Sequence, residues 1–109
     1  MSHADILRKR NDTSPITGTL KSNDGVADLS NVSSVRLYVA NSTDDPLLVD
    51  GEAEIIDAAG GKVRYTPTSA DFDESGFFIC EWEVEYANGS IQTFPNSDYL
   101  TLEIVDDLS

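Results

Sequence analysis

The sequence predicts an all-β domain, a single β-sandwich of about seven or eight antiparallel strands that contains no disulfide. Three observations lead to this prediction. Short runs of alternating apolar and polar residues recur along the chain, turn-forming residues separate these runs at close spacing, and no long segment has the periodicity of a helix. The chain has 109 residues, which is the size of one domain with one core.

The longest predicted strand covers residues 76–86 and indicates which face should be buried. Its apolar set is Phe78, Cys80, Trp82, Val84 and Tyr86, and its opposite set is Glu81, Glu83 and Glu85, with Phe77 and Ile79 ahead of them. A one-residue slip of this strand would bury three carboxylates, so the alternation fixes its register. We therefore expect the first set to face the core and the glutamates to face solvent.

Further strands are predicted on both sides of this one. Alternating runs predict strands near residues 16–20, 35–39, 62–66, 91–94 and 99–105. Asn88-Gly89 predicts a two-residue hairpin turn after the longest strand. Residues 47–56 carry mixed strand signals interrupted by Asp50-Gly51, which is typical of a hairpin.

The first fourteen residues differ from the rest of the chain in charge. They contain Arg8, Lys9 and Arg10, three of the seven positive charges of the protein. Together with Asp5 and Asp12 these give the segment a net charge of +1, which leaves −14 for the remainder of a chain whose total is −13. We expect a flexible basic N-terminal arm over residues 1–14, the sandwich over 15–106 and a tail over 107–109. The arm is either a solvated leader or a docking arm that orders against an acidic neighbour or another copy.

The acidic composition narrows the possible partners. Twenty Asp and Glu residues oppose seven Lys and Arg residues, and the isoelectric point is near 4.1. A surface of this charge repels phosphate backbones, so we expect no nucleic-acid partner. No stretch approaches the ~20 apolar residues of a membrane helix, and residues 1–11 lack the apolar run of a secretory signal. The charge fits either an ordinary solvated surface or a halophilic cytoplasm, in which salt screens the repulsion.

Residues that could support catalysis or hold a metal are sparse and scattered. Cys80 is the only cysteine, and it falls in an apolar strand with no histidine near it in sequence, since His3 is the only one. Residues 71–76 resemble the start of a calcium loop, but Trp82 stands at the twelfth position, where a bidentate glutamate is needed. The sequence contains neither a Gly-rich phosphate loop nor a Cys/His cluster. We therefore expect no enzyme activity, no cofactor, no metal and no small-molecule substrate.

The segment Glu74-Ser75-Gly76-Phe77-Phe78-Ile79-Cys80 resembles the entry into strand F of an immunoglobulin domain. Glycine allows the tight corner there, the aromatic residue two positions later closes one end of the core, and the cysteine position is buried. Phe78 replaces the usual tyrosine, and Cys80 has no second cysteine with which to form the inter-sheet disulfide. The resemblance is therefore to an immunoglobulin-like β-sandwich, not to antibodies.

A wider resemblance extends over residues 14–105. It is carried, in order, by Pro15-Ile16-Thr17-Gly18-Thr19-Leu20, Asp24-Gly25-Val26-Ala27-Asp28-Leu29-Ser30, Gly61-Lys62-Val63-Arg64-Tyr65, Ala70-Asp71 through Gly76, Glu81-Trp82-Glu83-Val84, Tyr86-Ala87-Asn88-Gly89, Thr93-Phe94-Pro95-Asn96 and Tyr99-Leu100-Thr101-Leu102-Glu103-Ile104. The set is similar to the immunoglobulin-like domain of tailed-virus structural proteins, in particular the N-terminal domain of baseplate upper proteins. This resemblance implies a tail or baseplate component of the virion, made in the host cytoplasm, whose partners are other virion proteins or copies of itself.

Two alternatives stay open beside this function. One is a capsid accessory or decoration protein, and the other is a β-sandwich module that binds carbohydrate or another ligand. For docking to virion proteins, the candidate contact residues are Arg8, Lys9 and Arg10 in the arm and the apolar pair Phe77 and Ile79 on the polar face of the longest strand. Coverage of this pair by a neighbouring loop is an equally good interpretation of the sequence.

Overall fold

The computed structural model describes residues 4–22, 24–96 and 98–106. These residues form ten strands and no helix, which confirms the all-β prediction. The strands are β1 (Ile6–Lys9), β2 (Ile16–Thr19), β3 (Lys21–Ser22), β4 (Gly25–Val26), β5 (Val32–Ala40), β6 (Val49–Asp57), β7 (Lys62–Tyr65), β8 (Gly76–Tyr86), β9 (Ile91–Phe94) and β10 (Leu100–Val105).

Eight of the strands found in the described residues belong to one strongly bent sheet. Its order is β1-β10-β8-β5-β6-β7-β2, with β9 pairing to the second half of β8, while β3 and β4 form a separate two-stranded sheet. The bend brings β2 across the inner face of β8, where a Cβ on Gly18 would lie 3.0 Å from Nε1 of Trp82. Two layers therefore enclose one core, and the sandwich-like prediction is confirmed.

The bend is located in β6, which changes partner along its length. Residues up to Ala53 pair with β5, and residues from Glu54 onward pair with β7. The hairpin predicted at Asp50-Gly51 is therefore wrong, because β6 runs straight through both residues. Gly51 serves a packing purpose instead: a Cβ at this position would lie 2.5 Å from Cζ of Tyr65 and 2.6 Å from its hydroxyl oxygen.

The alternation predicted for the longest strand is present in β8. Its inward side chains Phe78, Cys80, Trp82 and Val84 are buried, whereas Glu81, Glu83 and Glu85 lie on the outer face. The core also contains Leu37 of β5, Val63 of β7 and Leu102 of β10. Cys80 is a free, buried thiol. Register and core are therefore set by the period-2 pattern, as expected for a sheet with one covered face.

The N-terminal segment differs from the flexible arm that the sequence predicted. Residues 6–9 form β1, which pairs with β10 in parallel, so these residues belong to the sheet and not to a flexible arm. The other pairs among the described strands are antiparallel, as expected. Asp5 anchors the start of β1, since its backbone N–H donates to Oγ1 of Thr101 and its carboxylate accepts from the backbone N–H of Thr101, both at 2.9 Å. Ile6 packs against the core, which favours the docked strand. The first three residues of the predicted arm and the tail over 107–109 lie outside the described residues.

Candidate docking surface

Three apolar side chains lie together on the outer face of the sheet, on strands β1 and β8. The register places Leu7 of β1 beside Glu103 of β10 and Glu103 beside Phe77 of β8, so Leu7, Glu103 and Phe77 form one row across the sheet. Adjacent strands are ~4.8 Å apart, which puts Leu7 and Phe77 about 10 Å apart. Leu7 is 52% exposed and Phe77 is 69% exposed. We call Leu7, Phe77 and the neighbouring Ile79 the outer patch.

Glu103 lies between the two apolar side chains of this row. Its Oε1 atom is shielded from solvent and has no hydrogen-bond donor among the described residues. An unsatisfied, shielded carboxylate oxygen destabilises the isolated domain. A partner that supplied an N–H donor or a positive charge near this row would reduce that penalty.

The three basic residues were predicted to act together, but in the folded chain their side chains do not share one surface. Arg8 alternates to the core side of β1, and its guanidinium donates to the carbonyl oxygens of Leu7 at 3.0 Å and Pro15 at 3.2 Å. Arg10 forms a 4.0 Å ion pair with Asp106. Lys9 is exposed and shares the outer face with Leu7. Of the basic set, the structure therefore brings only Lys9 to the face that holds Phe77 and Ile79.

A groove adjoins the outer patch through Ile79. It has a volume of about 140 Å³ and is lined by Tyr38, Ala40, Ser42, Thr43, Asp45, Leu47, Ile79, Cys80, Glu81 and Tyr99. These residues come from the end of β5, the loop after it, β8 and the residue before β10. No sequence pattern predicts this groove as a whole. The one sequence signal for the groove is the outward position of Tyr38 in the alternation of β5. The approach of Tyr99 and Leu47 depends on the fold.

The carboxylates next to the groove differ in their hydrogen-bond partners. The hydroxyl of Tyr38 donates to Oε1 of Glu83 at 2.9 Å. Burial, then this hydrogen bond and the charge of Glu83, raise the pKa of Tyr38 to about 12. Glu81 has its pKa raised first by burial and second by the charge of Glu83. Farther along the face, Asp50 accepts a hydrogen bond from Nε of Arg36 at 2.5 Å. The outer face is therefore a charged ladder with the groove at one end.

The described residues contain no group of three or more His, Cys, Asp or Glu side chains arranged to hold a metal ion. In the segment that resembles a calcium loop, Oδ2 of Asp71 accepts hydrogen bonds from the hydroxyl of Tyr65 at 2.5 Å and the backbone N–H of Thr68 at 2.9 Å. Asp71 thus braces the chain between β7 and β8. None of the described segments forms an apolar helix of membrane-spanning length.

The fold and its exposed features define a class of protein, a β-sandwich-like module that presents an apolar patch and an acidic groove on one sheet face. The sequence profile of the BppU N-terminal domain, the N-terminal domain of baseplate upper proteins, matches residues 6–108. The chain belongs to this family, and the resemblance noted in the sequence is confirmed. The family is one of phage baseplate and tail structural proteins. The match begins at the first residue of β1, which agrees with β1 being part of the domain.

Comparison with solved structures extends the likeness in fold. The crystal structure of CopC from Methylosinus trichosporium OB3b superposes with a TM-score of 0.53, covering 97% of this chain and 88% of that chain at 12% sequence identity. At this identity the likeness concerns the fold alone. No curated protein matches the sequence.

Proposed function

We propose that this protein is a non-enzymatic structural adaptor of a tailed virus that docks to another tail or baseplate protein through the outer patch. The observation that carries the proposal is the row Leu7-Glu103-Phe77, which exposes two large apolar side chains on either side of Glu103 in one sheet. Membership in the BppU N-terminal domain family supports the location in the tail or baseplate. Exposed apolar clusters on a rigid sheet are typical of protein interfaces.

The charge of the chain indicates the chemistry of the partner. With a net charge of −13, two copies repel each other, which disfavours self-association as the main use of the patch. A partner surface with an apolar centre and a basic rim would complement Phe77 together with the flanking glutamates. We therefore assign the outer patch to a different virion protein.

The contribution of Phe77 can be bounded from its exposure. A phenylalanine buries roughly 150–250 Å² when it is fully covered, and 69% of this residue is still exposed. At about 25 cal/mol per Å², covering that area contributes roughly 3–4 kcal/mol before the losses of association are subtracted. Truncation to alanine should therefore weaken docking by about 30-fold or more.

The proposal is tested by substituting Phe77 in the virus and measuring how much of the protein purified particles contain. Ile91→Ala is the matched control, because Ile91 lies on the same outer face, is 59% exposed and pairs with Glu85 at the opposite end of β8. We expect Phe77→Ala to be depleted from particles and Ile91→Ala to be retained, while both purified variants keep the β-sheet circular-dichroism spectrum. Full incorporation of Phe77→Ala would refute the outer patch as the docking surface.

Immunogold electron microscopy of the same particles tests the position in the virion. Antibody raised against the chain should label the tail end. An evenly labelled head would support the alternative of a capsid accessory protein instead.

A further inference from the structure

The groove beside the outer patch combines apolar and aromatic walls with a carboxylate. Ile79 and Leu47 supply aliphatic surface, and Tyr38 and Tyr99 supply aromatic rings. Tyr99 is 44% exposed, so this wall is open to an incoming group. A cavity of ~150 Å³ accepts a molecule the size of benzene, and the groove holds about 140 Å³. The space therefore fits the head of one side chain, not an element of secondary structure.

Glu81 differs from the neighbouring carboxylates of the outer face. Glu83 is hydrogen-bonded by Tyr38, and Asp50 is paired with Arg36. Within the part of the chain that the structure describes, Glu81 has no hydrogen-bond donor and no ion-pair partner, although it is partly buried in the groove wall. A partly desolvated carboxylate without a partner favours the arrival of a donor or a positive charge.

The other charged residues at the groove favour an occupant of positive charge. Asp45 also lines it, with one oxygen already accepting from the hydroxyl of Ser42 at 2.9 Å, and no Lys or Arg is among the lining residues. An anionic group would meet two carboxylates without compensation. A cationic group would be attracted by Glu81 and Asp45 and could lie against tyrosine rings.

We propose that this groove binds an arginine side chain of the partner protein, with Glu81 accepting hydrogen bonds from the guanidinium and Tyr38 and Tyr99 flanking it. Arginine fits better than lysine because its planar guanidinium stacks on aromatic rings, is weakly hydrated and presents several donors to one carboxylate. The inference rests on the proposed docking function, since Ile79 belongs to both the outer patch and the groove. It adds a specificity contact to that surface, whose partner then presents an arginine next to an apolar anchor.

The test is a titration of the isotopically labelled domain with N-acetyl-arginine methylamide, followed by amide chemical shifts in NMR spectra. N-acetyl-norleucine methylamide, which has an aliphatic side chain without charge, and N-acetyl-lysine methylamide serve as comparison probes. We expect saturable shifts at Ser42, Ile79, Glu81 and Tyr99 with the arginine probe, weaker binding with the lysine probe and no localised shifts with norleucine. Shifts of equal size with norleucine, or equal affinity for the lysine probe, would overturn the assignment.

Glu81→Gln tests the proposed contact, and Glu85→Gln is its control, because both residues are on the outer face of β8 and the two substitutions remove the same charge. Glu81→Gln should lower the affinity for the arginine probe by about three- to fivefold, which is typical of a charge pair that is partly screened. Glu85→Gln should leave the affinity for this probe unchanged. Equal affinity of both variants would refute the role of Glu81. This titration uses the free domain, so it can fail while Phe77→Ala still blocks incorporation into particles, and it can succeed if that experiment fails.

Discussion

Substitution of Gly51 by alanine is the sharpest test of how the two layers pack. Gly51 pairs with Leu37 in the middle of the β5–β6 ladder, and the ring of Tyr65 lies across it. An alanine Cβ would lie 2.5 Å from Cζ of Tyr65, far inside van der Waals contact. Tyr65 cannot move away freely, because it is 7% exposed and its hydroxyl donates to Asp71. The strand or the ring must therefore shift.

The size of the effect follows from these two contacts. Overpacking a filled site destabilises by about 1–3 kcal/mol. Displacing the tyrosine also breaks a hydrogen bond to a carboxylate, which contributes roughly 1.5–3 kcal/mol. We expect Gly51→Ala to lower the free energy of unfolding by about 3 kcal/mol, a large fraction of the ~5–15 kcal/mol of a typical domain. With a urea m-value of ~1–3 kcal/mol per molar, the midpoint should fall by roughly 1–3 M.

Urea denaturation followed by tryptophan fluorescence measures this change directly, because Trp82 is the only tryptophan and is buried in the core. Glu52→Ala, an exposed neighbour on the same strand, is the control and should change stability by no more than ~0.5 kcal/mol. In a Tyr65→Leu background the ring is absent, so Gly51→Ala should destabilise by less than about 1 kcal/mol. The same loss in both backgrounds, or a small loss in the wild type, would refute the argument.

Three further expectations concern pH, thiol reactivity and salt. Tyr38 has a folded-state pKa of about 12 against an ordinary value of 10.0. Its contribution to the stability of the fold is therefore present below pH 10 and is lost as the pH rises toward 12. Tyr38→Phe should reduce the loss of stability over that range in alkaline melts, and an unchanged profile would contradict this. Burial, with smaller effects of Asp5 and Glu81, raises the pKa of the Cys80 thiol to about 12, so Ellman's reagent at pH 8 should react only as urea unfolds the domain. Reaction of the native protein at the rate of a free thiol would disprove it. The acidic side chains repel one another, because the net charge is −13. The melting temperature should therefore rise between dilute and molar KCl, where the Debye length falls from above ~10 Å to ~3 Å. A constant melting temperature would rule out this repulsion and the halophilic interpretation with it.

The inside and outside of β8 could be read directly from the sequence. Phe78, Trp82 and Val84 are buried and Glu85 is exposed because successive side chains of a strand point to opposite faces. The same pattern placed Phe77 and Ile79 on the outer face, which is where the structure has them. These predictions succeeded because each depends only on residues two positions apart.

The arm and the hairpin failed for a different reason. Residues 6–9 combine two apolar with two basic side chains and are too short to form a strand alone, and only the free edge of β10 gives their backbone a partner. Asp50-Gly51 has the composition of a turn, yet the glycine is needed to admit Tyr65 from another strand. In both cases a tertiary contact overrides a local preference that is weaker.

The sequence by itself determined an acidic, all-β domain, the register of its longest strand and the residues Phe77 and Ile79 of the outer patch. Only the tertiary structure decided that Leu7 joins that patch, that Arg8 and Arg10 are engaged elsewhere, and that Tyr99 and Leu47 close a groove around Glu81. The physical reason is that alternation is encoded in neighbouring residues, whereas the pairing of distant strands depends on which edges remain free once the whole core has packed.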